Sequence, residues 1–393
     1  MAATHSKRFW LTGIIGLPVF LVIAWVLFSH ALWAGPVMSA GASDSGRYAI
    51  TAHRDNALIL WDLEQERWDL LNTSANIYSA AFVPNQNAFV WQNLDNQVTA
   101  QTVDGQVLLT FPHFPTYGHA VSEDLKTYLS ADEDWNVFKG YGNELRPILQ
   151  DGISPSFQGS GKLLNLSMAR NKNLHITAGF GDDPAPINDY SPVDTDRRFS
   201  RYSGVTLWST DTGKPIAKFQ GNSAKTHANI SPDGQWVVSG DENGIGLYWN
   251  TNEPEQRHRL ASYQVGIYLD ESPFESGDAR NWDTSQLINA PKGVKDRTLA
   301  QAFIHNSQYF LRFGNNSHIA ALFEAGSPWP VKYFDLGESP QLVTYGSQYS
   351  RNTAIATSPQ SGTLVMGHRS GGGISVYQFD PEALTLARVW VVE

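Results

Sequence analysis

The chain has 393 residues, 17% of them charged, and a formal net charge of -10. An acidic balance of this kind gives no electrostatic footprint for a nucleic-acid backbone. Cysteine is absent (Cys 0), which excludes disulfides, thiolate nucleophiles and cysteine-ligated zinc or iron–sulfur centres. A chain this long can bury a large core without covalent staples, and 12% aromatic residues suit short strands that pack flat rings between sheets.

The first element is apolar. Residues 1–8 end in Lys7-Arg8, and Phe9 to Phe28 is an uncharged, mostly apolar run. At roughly 1.5 Å per residue that run is about one bilayer crossing. No formal charge appears from Phe9 until Asp44, and the basic pair before the run places residues 1–8 in the cytoplasm. Trp10, Trp25 and Trp33 sit where an interfacial belt forms, and Pro18 is compatible with a membrane helix. The expectation is a single-pass anchor over 9–33 in an inner (cytoplasmic) membrane. A cleaved signal peptide is the rival. Its apolar region is usually about 7–15 residues with a small-residue site just after, whereas Ala40-Gly41-Ala42 lies well past this longer run. Under both readings the chain from residue 36 onward lies outside the cytoplasm, which in a bacterium is the periplasm.

From residue 37 to 393 the chain repeats itself. The clearest phrase is Ser231 to Asn250, which reads turn, strand, turn, strand. In Ser231-Pro232-Asp233-Gly234 the proline presets φ and the glycine tolerates positive φ. Trp236 to Ser239 and Ile245 to Trp249 are the flanking strands. Equivalent phrases lie at Arg47–Leu71, Ala80–Phe111, Ala120–Leu149, Leu164–Phe219, Ala302–Phe334 and Thr353–Val392. Each holds about four short strands at a period near the ~40–45 residues of a propeller blade. The expectation is an all-β, seven-bladed propeller. Closure of its ring rests on blade packing alone or on Pro36 to Gly41. No apolar stripe of helical period longer than about ten residues follows the first run, and a two-sheet sandwich rarely needs so many strands at so regular a spacing.

The chain resembles the WD40 and WD40-like family. The residues that carry the resemblance are Leu60-Trp61-Asp62, Leu207-Trp208-Ser209, Ser231-Pro232-Asp233-Gly234 and Gly246-Leu247-Tyr248-Trp249-Asn250. The pattern is degenerate. At the end of a third strand Trp-Asp is complete only at Trp61-Asp62, and Gly-His opens one unit, at Gly118-His119. The family's hydrogen-bonded His–Ser–Asp–Trp network is therefore not expected in most blades. The resemblance implies the fold and names no particular partner.

Two stretches exceed the repeat. Residues 181–203 lie between the second and third strands of their unit and are rich in Pro and Asp, hence a loop. This loop combines Asp182, Asp183, Asp189, Asp194 and Asp196 with Tyr190, Arg197, Arg198, Phe199, Arg201 and Tyr202. Tyr and Arg dominate interface hot spots, so Tyr190, Arg197, Arg198, Phe199 and Tyr202 are the candidate partner-binding residues. A solvated loop whose arginines pair with its own acids is the bland alternative, and the Asp spacing does not match a calcium-binding EF-hand. Residues 261–294 are acidic with interspersed aromatics, either a loop packed over the propeller edge or a docking surface.

Catalytic signatures are weak. The runs Asp132-Glu133-Asp134 and Asp241-Glu242 fall in expected inter-strand turns, where acids are common. The histidines show no metal-ligand spacing, there is no Gly-x-Ser-x-Gly elbow, and the glycines of Ser370 to Gly373 precede a strand rather than a helix. No catalytic, cofactor or metal residues are assigned. The reading is a membrane-anchored, extracytoplasmic, non-enzymatic scaffold for proteins of a cell-envelope assembly. The alternative is a periplasmic enzyme or ligand sensor working through the axial funnel.

Overall fold

The structure, a computed structural model, describes residues 34–71, 77–93, 97–111, 118–131, 137–141, 144–147, 163–170, 173–179, 205–219, 222, 226–241, 246–260, 298–314, 318–337, 354–368 and 371–393. The expected anchor over 9–33 lies outside them, and no helix among the described residues is long and apolar enough to cross a membrane. All described regular structure is β, in seven four-stranded sheets, each built from four consecutive antiparallel strands.

Blade one is β1 (Val37–Ala42), β2 (Tyr48–His53), β3 (Leu58–Asp62) and β4 (Arg67–Leu71), and blade two is β5 (Ile77–Phe82), β6 (Ala88–Asn93), β7 (Val98–Thr102) and β8 (Val107–Phe111). Blade three is β9 (Gly118–Val121), β10 (Tyr128–Ala131), β11 (Val137–Tyr141) and β12 (Glu144–Pro147), and blade four is β13 (Leu163–Met168), β14 (Leu174–Gly179), β15 (Val205–Ser209) and β16 (Pro215–Phe219). Blade five is β17 (Thr226–Ile230), β18 (Trp236–Asp241), β19 (Gly246–Asn250) and β20 (His258–Arg259), and blade six is β21 (Thr298–Ile304), β22 (Tyr309–Gly314), β23 (Ile319–Glu324) and β24 (Pro330–Asp335). Blade seven is β25 (Ile355–Thr357), β26 (Thr363–Gly367), β27 (Ile374–Asp380) and β28 (Thr385–Val392).

The first strands of neighbouring blades contact one another, β1 with β5 and β25, and β9, β13, β17, β21 and β25 in succession, while blade two meets blade three through Val121 and Tyr128; first strands are thus innermost and fourth strands are rim edges. A second strand is sandwiched between neighbouring blades on both faces. Accordingly β2, β14, β18 and β22 are buried at every residue but the first. Rim strands alternate in part instead, as in β4 and β28. The core lies in the wedges between blades. Phe310 stacks on Phe323 at 5.1 Å and Phe219 on Trp249 at 4.8 Å. Burying rings of this size contributes about 2–3 kcal/mol each.

The ring closes without a shared strand. The expected alternative contributor, Pro36 to Gly41, supplies β1 to the innermost position of blade one rather than to blade seven. Blade one meets blade seven by packing: Ala42, Ala49, Ile59 and Trp61 join Val365, Ile374 and Val376 in one cluster. The Val37 amide also donates to the His368 carbonyl at 3.4 Å. Gly367 faces Val37 so closely that a Cβ there would collide with the Val37 side chain.

Two strand boundaries differ from expectation, the sequence having suggested a strand from Ala120 to Asp124 and a turn at Asp241. In blade three, β9 stops at Val121, because Ser122 opens a turn: its hydroxyl donates to Asp124 at 2.7 Å and accepts from the Thr127 amide at 2.9 Å. Asp241, expected in a turn, is the fully buried last residue of β18.

Candidate functional site

Because consecutive strands are antiparallel, turns after first and third strands emerge on one face of the ring. Connections after second and fourth strands emerge on the other. The two faces are built differently.

On the turn face, the turns after the first strands are short and share a chemistry. Ser43, Ser122 and Ser231 each accept, through the hydroxyl, an amide five residues on, at 2.9 Å in all three. Glycine or a left-handed residue completes the reversal, as at Gly234 (φ 71). These turns are then stitched to their neighbours. The Asn85 amide donates to Asp44 Oδ2 at 2.6 Å, and Asn85 Nδ2 donates to Glu123 Oε2 at 3.0 Å. The Arg170 amide donates to the Pro232 carbonyl at 2.8 Å, and the Asp233 amide to Ser307 Oγ at 3.3 Å. The Asn306 amide donates to the Pro359 carbonyl, and Ser358 Oγ to the Asp44 carbonyl, both at 2.5 Å. The result is a girdle around the axis.

One ion pair spans that girdle. Arg170, between β13 and β14, pairs with Asp44, between β1 and β2. These blades stand three steps apart in the ring, so the pair crosses the axis. Asp44 is 5% exposed and Arg170 21%. A buried carboxylate is tolerated because it accepts from both the guanidinium and the Asn85 amide.

The opposite face carries the long connections: 148–162, 180–204, 260–297 and 336–354 all follow second or fourth strands. The described strand ends that flank both stretches exceeding the repeat are therefore on this face. Tyr190, Arg197, Arg198, Phe199 and Tyr202 lie outside the described residues, but the flanking ends Gly179 and Val205 fix the face from which their loop springs. β1 also begins on this face. The Gly35 amide donates to Asp55 Oδ2 at 2.8 Å, and Ala34 lies against Gly372 of the β26–β27 connection.

Between the faces run polar relays that the degenerate sequence pattern did not promise. In blade one Trp61 Nε1 donates to Thr51 Oγ1 at 2.8 Å, Thr51 Oγ1 meets His53 Nε2 at 2.7 Å, and His53 Nδ1 meets the Gly35 carbonyl at 2.8 Å. Blade four repeats the Trp–Thr step with Trp208 and Thr177 at 2.8 Å. In blade seven His368 Nε2 meets Ser375 Oγ at 3.0 Å. Burial pushes the His53 imidazole below its ordinary value, against opposing effects from the Gly35 carbonyl and Asp55. Burial likewise pushes the Tyr248 hydroxyl up to about 12; that hydroxyl donates to the Gly326 carbonyl at 3.0 Å, across blades five and six. These groups are packed inside the wedges and hold the blades.

Asp132, Glu133, Asp134 and Glu242 lie outside the described residues. Among the described residues no group of three or more His, Asp or Glu is placed to hold a metal. The girdle residues Asp44, Asn85, Glu123 and Arg170 were not singled out from sequence. A signal was present in the recurrence Ser43-Asp44-Ser45, Ser122-Glu123-Asp124, Ser231-Pro232-Asp233 and Ser358-Pro359-Gln360.

A family model for the WD domain, G-beta repeat, matches residues 213–250. That stretch runs from β16 through β19, so the sequence repeat is one strand out of phase with the sheets. No curated protein matches the chain. The match and the repeated four-stranded sheets together support a WD40-like propeller family.

Proposed function

From this WD40-like propeller we propose a non-enzymatic protein-interaction scaffold, seven-bladed, held at the outer surface of the inner (cytoplasmic) membrane by residues 9–33 and serving an envelope assembly. WD40-type propellers fit a protein-interaction role in general, and the observation that carries the reading is the segregation of the two faces. All four longest connections between described strands leave from one face, while the other is stitched into a girdle. Loops that vary on a rigid frame are where binding residues concentrate. Because β1 begins on the connection face, an anchor at 9–33 would direct that face toward the bilayer and raise the loops' effective concentration for membrane neighbours.

The axial enzyme or sensor needs several acids or histidines converging on the axis. The described residues put one ion pair across it, Asp44 with Arg170. The scaffold is tested by affinity capture of the full chain from intact envelopes. Replacing Arg197 to Tyr202 by Gly-Ser is expected to remove specific prey, and unchanged prey eliminates the loop as the binding element. Extraction of the full chain from membranes by alkaline carbonate, rather than by detergent alone, refutes the anchor.

A further inference from the structure

The seam between blades one and seven opens on the turn face and rim as a cleft of about 710 Å³. That is within the roughly 300–1,000 Å³ typical of ligand-binding pockets. One wall is β28, with Val389 and Trp390; the other is the β3–β4 turn, with Leu63, Glu64 and Glu66.

The floor is rigid. Thr363 Oγ1 donates to Gln378 Oε1 at 3.3 Å, and Gln378 Nε2 donates to the Ser361 carbonyl at 2.5 Å. Gly46 fits over this floor only because it has no Cβ, which would collide with the Ser361 and Thr363 hydroxyls. The Trp390 ring is braced edge-on by buried Trp61, 6.0 Å away at 75°.

β28 is an unusual rim strand. Among the described residues it is the longest outermost strand, at eight residues, where β24 has six and β20 two. Val389 and Val391 are 56% and 42% exposed, and the β27–β28 register shifts between Val376 and Tyr377, which bulges Val389 outward beside the cleft. Edge strands are usually blunted by shortness, charge, Pro or a bulge; β28 is long and without Lys or Pro, and carries one charge, Arg388, and one bulge, at Val389.

The opposite wall is acidic. Arg47 is shared between Asp62 at 3.3 Å and Glu64 at 3.2 Å, and Arg67 also turns to Asp62, at 3.7 Å. Glu66 is exposed, and no ion pair to it is formed among the described residues. The cleft thus offers a backbone ladder, an aromatic-aliphatic wall and surplus negative charge.

We propose that this seam binds an extended peptide from a partner protein, added as a fifth strand to β28, with apolar and basic residues alternating. Alternate side chains of such a strand point to one side. On the cleft side Lys or Arg lays its aliphatic stem over Val389 and Trp390 and brings its charge to Glu64 and Glu66, while the apolar residues lie on the opposite side. Main-chain bonds supply affinity and the acidic wall supplies specificity. The inference deepens the scaffold reading by naming a second surface, distinct from the 181–203 loop.

The test is fluorescence anisotropy with the full chain in detergent and a labelled short peptide alternating Val and Lys. Binding is expected, and E64K/E66K weakens it roughly tenfold, the scale of two exposed ion pairs. E253K/E255K makes the same change of net charge on exposed residues of blade five and is expected to leave binding within about twofold. Methylating alternate amides of the peptide on its ladder-forming edge abolishes binding. Circular dichroism establishes folding; should the Lys pair unfold the chain, E64Q/E66Q is expected to weaken binding roughly threefold. Equal effects of the two charge reversals, undiminished binding of the methylated peptide, or equal binding of a Val-Glu peptide overturns the proposal. So does a concentration-dependent dimer in sedimentation that hides β28, since the occupant is then a second copy. Prey lost with the 197–202 replacement while the peptide fails to bind removes the seam and leaves the scaffold; the reverse pattern removes the loop and leaves the seam.

Discussion

The two faces of the ring come from one repeat, yet they solve opposite problems. After each first strand the chain reverses in a few residues, and the reversals are pinned to one another around the axis, by Asn85 on Asp44, Arg170 on Pro232 and Ser358 on Asp44. After second and fourth strands the chain takes long excursions, at 180–204 and 260–297 above all. The difference teaches where tolerance lies in a circular stack. Insertions on the turn face would push the innermost strands apart, whereas the strands that flank the long connections on the other face keep their four-stranded pairing.

The largest expected effect comes from breaking the girdle at its centre. Asp44→Ala strands the Arg170 guanidinium and the Asn85 amide together, and is expected to cost about 3 kcal/mol in denaturant unfolding. A loss near 0.5 kcal/mol, the worth of an exposed pair, would mean that the girdle is decoration. Next comes Gly46→Ala. The position has φ 72, and a Cβ there meets Ser361 and Thr363 of blade seven. About 2 kcal/mol is expected, read as a shift of the urea midpoint, with the same substitution at Gly105 as the control. Gly105 also has positive φ (93) but has open space around it, so the difference between the two variants isolates the ring seam from backbone strain.

The fold was legible because turn chemistry and strand composition recur, and Pro232-Asp233-Gly234 delivers the reversal its residues imply. What alternation could not reveal is burial: second strands such as Tyr48–His53 are covered on both sides by neighbouring blades, so their periodicity is masked. The girdle was hidden for a different reason. Each of its bonds joins residues dozens to hundreds of positions apart, such as Ser358 with Asp44, and nothing local distinguishes Asp44 from any other turn acid. The Trp61–Thr51–His53 relay was hidden because its bonds cross from β3 to β2 and on to Gly35, and no residue spacing in the sequence announces them. The five loop residues proposed for partner binding rest on composition alone.

A smaller effect separates the faces by pH. His53 sits near the connection face and is 0% exposed, and its folded value is depressed by desolvation below 6.5. Protonation is therefore easier in the unfolded chain. Stability from this group is complete above 6.5 and drains away as pH falls below it, toward the lower folded value. The melting temperature of the wild type is expected to fall over that interval more steeply than that of His53→Gln, which keeps a polar group for Thr51 but cannot titrate there. Parallel pH profiles would remove His53 as the cause.

The smallest stability effect is expected where the functional effect is largest. Exchanging residues 181–203 for a Gly-Ser linker of equal length leaves β14 and β15 paired through Leu174↔Ser209 to Ala178↔Val205. Closing a loop of unchanged length costs the same entropy, so unfolding free energy is expected to stay within about 0.5 kcal/mol of the wild type while captured prey is lost. A loss comparable to that of Asp44→Ala would show that the segment is packed into the wedge as part of the frame. The contrast between a girdled face and a free one would then fail on its free side, because the connection face would be supporting the blades as well as presenting loops.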